Sequence, residues 1–231
     1  MSCTVANYYL PIYFQAVDGA TPTMSGVYML PSILAQLFAA VFAGRLVGIV
    51  GRYTPFVFAC VVLTSIGYGM CSTFSPHTST GEWIGYQILI GAGRGLGFQM
   101  PIVAVQNNLP PTQAPIGMSM IMFSGMLGGA LLLSFSATIF TQSLRKEIPI
   151  QDAGADAQAI IAAGATGFRR LLDPSELGGI LVAYAKSIDR VFYLLAALTA
   201  VSFLLGFGLG FKDIREKKEV KGGKEAVEEK V

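Results

Sequence analysis

The sequence predicts an all-α integral membrane protein with six transmembrane helices, and three observations carry that reading. Of its 231 residues, 53% are hydrophobic and 13% are charged, about half the roughly 25% charge of an average soluble domain. The apolar residues gather into six runs, most of them long enough to cross a hydrocarbon core of about 30 Å at about 1.5 Å per helical residue. Short breaks rich in glycine, proline and small polar residues separate the runs.

The first run, 1–17, is apolar but short. It carries Tyr8, Tyr9, Pro11, Tyr13 and Gln15 and has no hydrophilic lead-in, so it reads as the later part of a helix. A turn-rich loop, 17–25, leads to the second span, 27–50, where Pro31 predicts a kink that neighbouring helices satisfy. The following break, 44–55 (GRLVGIVGRYTP), holds Arg45 and Arg52. The third span, 54–74, is uncharged, and the polar loop 75–82 contains the only histidine, His77, which reads as solvated.

The fourth span, 83–105, is 23 residues long and has Arg94 at its middle. A central arginine costs roughly 2.5 to 3.5 kcal/mol on insertion scales, and the surrounding Ile, Leu, Val and Phe nearly cancel it. A guanidinium at that depth faces either a wet cavity, as a functional group, or another helix, whose carbonyls or side-chain amide it ties down. Both readings stay open. Three prolines in the loop 107–115 forbid helix continuation, and the uncharged fifth span, 116–140, carries Gly125, Gly128 and Gly129. Glycines four apart let backbones approach closely, so Gly91 with Gly95, Gly93 with Gly97, and Gly125 with Gly129 are expected at helix interfaces. A nucleotide-loop reading of these alternating glycines fails, because they lie inside an apolar span rather than between a strand and a helix.

The stretch 141–190 is the one long polar excursion. Asp173, Pro174 and Glu176 suit N-cap, N1 and N3 of a helix over about 174–188, whose Leu177, Ile180, Leu181, Tyr184 and Ile188 recur at helical spacing. It is read as an amphipathic helix on the membrane surface, or as a soluble helix capping the loops. The last span is 191–211, and the charge-rich tail 212–231 is expected to be disordered. With the tail in the cytoplasm, that side holds Arg45, Arg52 and seven tail cations, nine in all, against six in the excursion, which is then extracellular.

The net charge of +2 is small and forms no basic face, which argues against nucleic acid as a partner. Cys3, Cys60 and Cys71 match neither a metal site nor a disulfide framework. No catalytic set and no cofactor motif is visible, so the chain reads as a non-enzyme whose first partner is the lipid bilayer. Asp18 and Glu82 mark span edges, and no acid or histidine lies within the spans to hold a proton. Gln99 and Gln106, seven apart, lie near one face of the fourth span, whereas Arg94 is offset from Gln99 by about 140°.

The segments YYLPIYFQAV (8–17), SGVYMLP (25–31), GLGFQMPIVAVQNNLPP (95–111), PIGMS (115–119), LGGAL (127–131) and AYAKSIDRVF (183–192) resemble, in order and spacing, the C-terminal part of fungal major facilitator superfamily efflux pumps. The closest likeness is to the fourteen-helix drug:proton antiporters that include fungal toxin exporters. The stretch GRLVGIVGRY is similar to a degenerate copy of that family's cytoplasmic loop motif. It keeps Gly44, Leu46, Gly51 and Arg52, with Gly48 where an Asp is typical, and Gly125 stands where the family often has a Gln. The resemblance implies two helical bundles rocking about a midplane site, of which this chain supplies the C-terminal one, in the plasma membrane, with the N-terminal bundle missing. It implies export of an amphipathic small molecule in exchange for protons. Arg94, Gln99 and Gln106 are the expected substrate contacts, with Tyr9 and Gln15 behind them. The alternative is a truncated, non-transporting membrane remnant that at most associates with a full-length relative through its glycine faces.

Overall fold

A computed structural model of the chain describes residues 2–151, 156–170 and 174–206. Among them the order is α1 (Ser2–Ala16), α2 (Pro22–Val27), α3 (Leu30–Val50), α4 (Thr54–Cys71), α5 (Thr80–Phe98), α6 (Met100–Asn108), α7 (Ala114–Gln151), α8 (Ala157–Gly167), a 3₁₀ turn (Phe168–Arg170) and α9 (Pro174–Gly206).

The breaks follow from local chemistry. Thr21 caps α2 by accepting the Met24 N–H on its Oγ1 at 3.3 Å. Pro31 falls in the first turn of α3, where a missing N–H costs nothing, so the expected kink becomes a break at Tyr28 and Met29. Gly51 ends α3 in the left-handed region, at φ 74°, its N–H donating to the Val47 carbonyl at 2.9 Å. The break after the second span is therefore shorter than expected, and Gly44 and Leu46 belong to the helix. Ser79 and Glu82 form a capping box at α5, the Glu82 Oε2 accepting the Ser79 N–H at 2.8 Å. Pro101 divides the expected fourth span at Gln99 into α5 and α6.

Five stretches are long and apolar enough to cross a membrane: Pro22–Val50, Thr54–Cys71, Thr80–Asn108, Ala114–Gln151 and Leu177–Leu204. The 15 residues of α1 fall below that length. The bundle is apolar on its outside. Phe38 on α3 is 72% exposed and Met126 on α7 is 76% exposed, with Leu37, Val41, Phe42, Phe123 and Leu131 beside them. Exposed apolar faces of this extent suit lipid rather than water.

Packing inside rests on α5. A Cβ added at Gly91 or Gly95 would collide with the Ser32 or Gln36 carbonyl of α3, and one at Gly93 would come within 2.9 Å of the Leu63 Cβ of α4. Gly97 faces Cys60 in the same way. Two glycine pairs thus serve two different neighbours. Gly129 sits 3.3 Å, measured from an added Cβ, from the Thr4 Oγ1 of α1. Gly125 is corrected: a Cβ there meets nothing within 4 Å, so it packs no helix. Gly128 on the same helix is half-buried.

The expected long loop 141–190 is largely helical. α7 continues to Gln151 and α9 starts at Pro174. At about 1.5 Å per residue they measure about 57 and 50 Å, well beyond a core of about 30 Å. Their far ends pack against each other, with α8 and the 3₁₀ turn closing over α1. Glu147 of α7, 5% exposed, pairs with Arg190 and, at 3.7 Å, with Lys186 of α9, and Arg190 Nη1 also donates to Ser143 Oγ at 2.8 Å. The separate surface helix at 174–188 is therefore the first half of α9. Aromatic contacts fill the same end: Tyr13 on Phe74 at 4.4 Å, Phe14 on Trp83 at 5.0 Å and Phe168 on Tyr184 at 4.7 Å. Asp173 and the tail 212–231 lie outside the described residues.

Candidate functional site

Arg94 points inward from α5 and is 8% exposed. Its Nε and Nη2 both donate to the Tyr68 hydroxyl of α4, at 3.4 and 3.2 Å. Nη2 also donates to the Cys3 carbonyl of α1 at 3.2 Å, and Nη1 to the Asn7 Oδ1 at 2.9 Å. The guanidinium thus joins three helices through a carbonyl, an amide and a phenol. No carboxylate is among these partners, so the positive charge is spread over dipoles rather than cancelled. Planar N–H groups in a fixed fork suit such a set better than an ammonium does.

Thr4 and Asn7, three apart, share a face of α1, and both are exposed. Thr4 lines a cavity of about 710 Å³ between α1, the α5–α6 junction and α7, whose other walls include Phe98, Ile102, Met122, Gly125 and Leu133. Its lining is mostly apolar, which suits an organic molecule held by shape and a few polar contacts. Through Asn7 and the Cys3 carbonyl Arg94 anchors α1, the helix that brings Thr4 to the cavity.

The expected contacts separate. Gln99 forms the α5–α6 junction and is exposed beside Phe98, and Gln106 is exposed two turns further along α6. Tyr9 is corrected: it is 1% exposed, in edge contact with Tyr8 and tilted on Phe140 at 5.4 Å. Gln15 is corrected as well, since its Nε2 donates to Ser25 Oγ at 3.0 Å and ties α1 to α2. Arg52 is exposed next to the Gly51 turn.

Sequence reasoning missed five residues. Thr4 and Asn7 were legible as polar residues at helical spacing in an apolar run. Gln87, fully buried, donates from Nε2 to the Tyr28 carbonyl at 2.8 Å and fastens the α2–α3 break. Glu147 and Asp189, assigned to the long loop by the sequence, instead lie on the continuous helices α7 and α9, at the level of their ion-paired extension.

Outside the spans, Arg169 Nη2 donates to the Ala16 and Val17 carbonyls at 2.8 Å each, closing the end of α1. The neighbouring Asp18 is exposed by area, yet burial of its carboxyl by the surrounding chain raises its pKa, an effect that the Arg169 charge partly offsets.

Lipid-facing apolar surfaces around glycine-packed helices define a multi-pass α-helical membrane protein. The chain is a homologue of fungal MFS-type transporters and efflux pumps, and its helices form an MFS-like membrane bundle. It is 50% identical to the MFS-type transporter pigP of Monascus ruber over 211 residues, 91% of this chain and 37% of that protein. It is 44% identical to the efflux pump mlcE of Penicillium citrinum over 95% of this chain and 40% of the relative. The efflux pump mokI of Monascus pilosus is 44% identical over 88% and 38%. The chain thus spans about two-fifths of the length of these curated relatives. No protein-family model matches it.

Proposed function

We propose that the chain is the C-terminal bundle of a facilitator-type exporter that moves amphipathic organic molecules out of the cell in exchange for protons. In this reading the cavity of about 710 Å³ between α1, α5–α6 and α7 is the observation that carries the function. The apolar part of the substrate lies against Phe98, Ile102, Met122 and Leu133. Its polar part meets Thr4 of α1, a helix held in place by Arg94 through Cys3 and Asn7, with Gln99 and Gln106 on the way to the cytoplasmic mouth. The N-terminal bundle supplies the opposing wall.

The membrane is the plasma membrane, with the C-terminal tail in the cytoplasm. Two observations support that orientation: the nine cations placed on that side, and the ion-paired extension of α7 and α9 on the other.

Gly125 provides the test, because a side chain there enters the cavity without meeting another helix. In the complete transporter, Gly125→Leu is expected to lower export of a lipophilic substrate about tenfold, roughly 1.4 kcal/mol of lost binding. Its membrane abundance should match the unsubstituted protein. Export at the normal rate through a filled cavity would refute the site.

A further inference from the structure

Asp189 stands on α9, where that helix crosses the ends of α1 and α4. Its Oδ1 is cut off from solvent and has no hydrogen-bond partner among the described residues. The surroundings are specific. From α1 comes the Tyr13 hydroxyl, itself donating to the Ser75 carbonyl at 2.8 Å. From α4 and its following turn come the Cys71 thiol and the Phe74 N–H. Phe192, one turn along α9, stacks near Tyr68, 6.3 Å between centroids.

The nearby charges are turned elsewhere. Lys186 and Arg190, three residues before and one after, are engaged by Glu147 of α7. Arg169 is bound to the end of α1, and Asp18 lies beyond Tyr13. The Arg94 cation reaches the same region through α4: it holds Tyr68 and acts on Cys71 from the other side. A half-partnered carboxylate in a low-dielectric interior is costly while charged, and a bound proton removes that charge.

We infer that the Asp189 carboxyl is the group on this bundle that binds and releases the transported proton. The inference rests on the proton-exchange reading above and names its residue. Binding adds one proton to a carboxylate oxygen and cancels one negative charge. Release returns that proton to water and restores the charge, with no electron moved. The line Asn7, Arg94, Tyr68, Cys71, Asp189 runs across the bundle from α1, the helix whose Thr4 lines the cavity. Asp189 and Arg94 both act on the Cys71 thiol that lies between them, which gives the proton a route to influence the substrate wall.

Dicyclohexylcarbodiimide, which attacks protonated carboxyls in apolar surroundings, tests this without a substitution. In the unsubstituted protein, mass mapping is expected to find the adduct on Asp189, falling as pH rises, and not on the ion-paired Glu147. In the complete transporter, Asp189→Asn should lose the adduct and lose export driven by a pH gradient, while substrate-for-substrate exchange at equal pH continues. No adduct at Asp189, or one indifferent to pH, overturns the inference while leaving proton-driven export standing. If the unsubstituted transporter exports without regard to the pH gradient, the exchange reading itself fails and Asp189 carries no transported proton.

Discussion

At Arg94 the structure shows the tie between helices that the sequence left as one of two readings. The guanidinium ties helices through the Cys3 carbonyl and the Asn7 amide, and the same bonds anchor the helix whose Thr4 lines the cavity. Arg94→Ala frees Asn7 and takes from the buried Tyr68 hydroxyl the two hydrogen bonds that Arg94 donates, a loss of roughly 1 to 3 kcal/mol of stability. The expected outcome is reduced export with the protein still in the membrane, measured by transport and surface quantification of the complete transporter. Unchanged export would make the contact purely structural. Asp18 carries a different prediction. Its raised folded pKa means the folded state holds the proton more tightly, so its contribution is present below the unfolded value and is lost as pH rises through the folded one. Asp18→Asn is expected to flatten that fall in thermal stability and to leave the low-pH value unchanged.

Among the elements, α5 is where sequence and structure agree most directly. Glycines spaced by four announce close packing, and here one pair serves α3 and the next serves α4. Gly95→Ala forces a Cβ against the Gln36 carbonyl and is expected to cost roughly 1 to 3 kcal/mol, seen as a lower melting temperature in detergent. Gly125→Ala at the open site should change it little. The same spacing rule failed at Gly125 because spacing says that a helix is able to approach, and not that one is there. The α7–α9 pair was the harder element to read. Its polar residues look like a loop until Glu147 of one helix meets Lys186 and Arg190 of the other, a contact 39 to 43 residues apart in sequence. Glu147→Ala leaves two cations without their carboxylate. Because Arg190 and Lys186 are 42% and 50% exposed, water offsets part of the loss, and a destabilisation of about 1 kcal/mol is expected.

Viewed as a whole, the molecule was legible where physics acts along the chain and obscure where it acts across it. Apolar runs, prolines and caps marked the helices. Pro31 shifted from a kink inside a span to the first turn of α3, and Pro101, not singled out in the sequence, divides the fourth span. The acid at 189 stayed hidden, because an apparent loop end at 190 separated it from the helix that carries it. The cavity was not legible either, since its walls come from α1, α5, α6 and α7, more than 120 residues apart at the extremes. Tyr9 was misread because an aromatic beside a membrane run looks the same in sequence whether it faces a substrate or Phe140.

The cavity is the claim on which the functional account turns, and chemical protection reads it directly. In the complete transporter, with Cys3, Cys60 and Cys71 replaced, a Gly125→Cys variant is treated with a thiol reagent while an exported lipophilic compound is titrated in. The account predicts ready labelling without the compound and progressive slowing as it fills the cavity. A labelling rate unmoved by a compound that the same protein is exporting would contradict it.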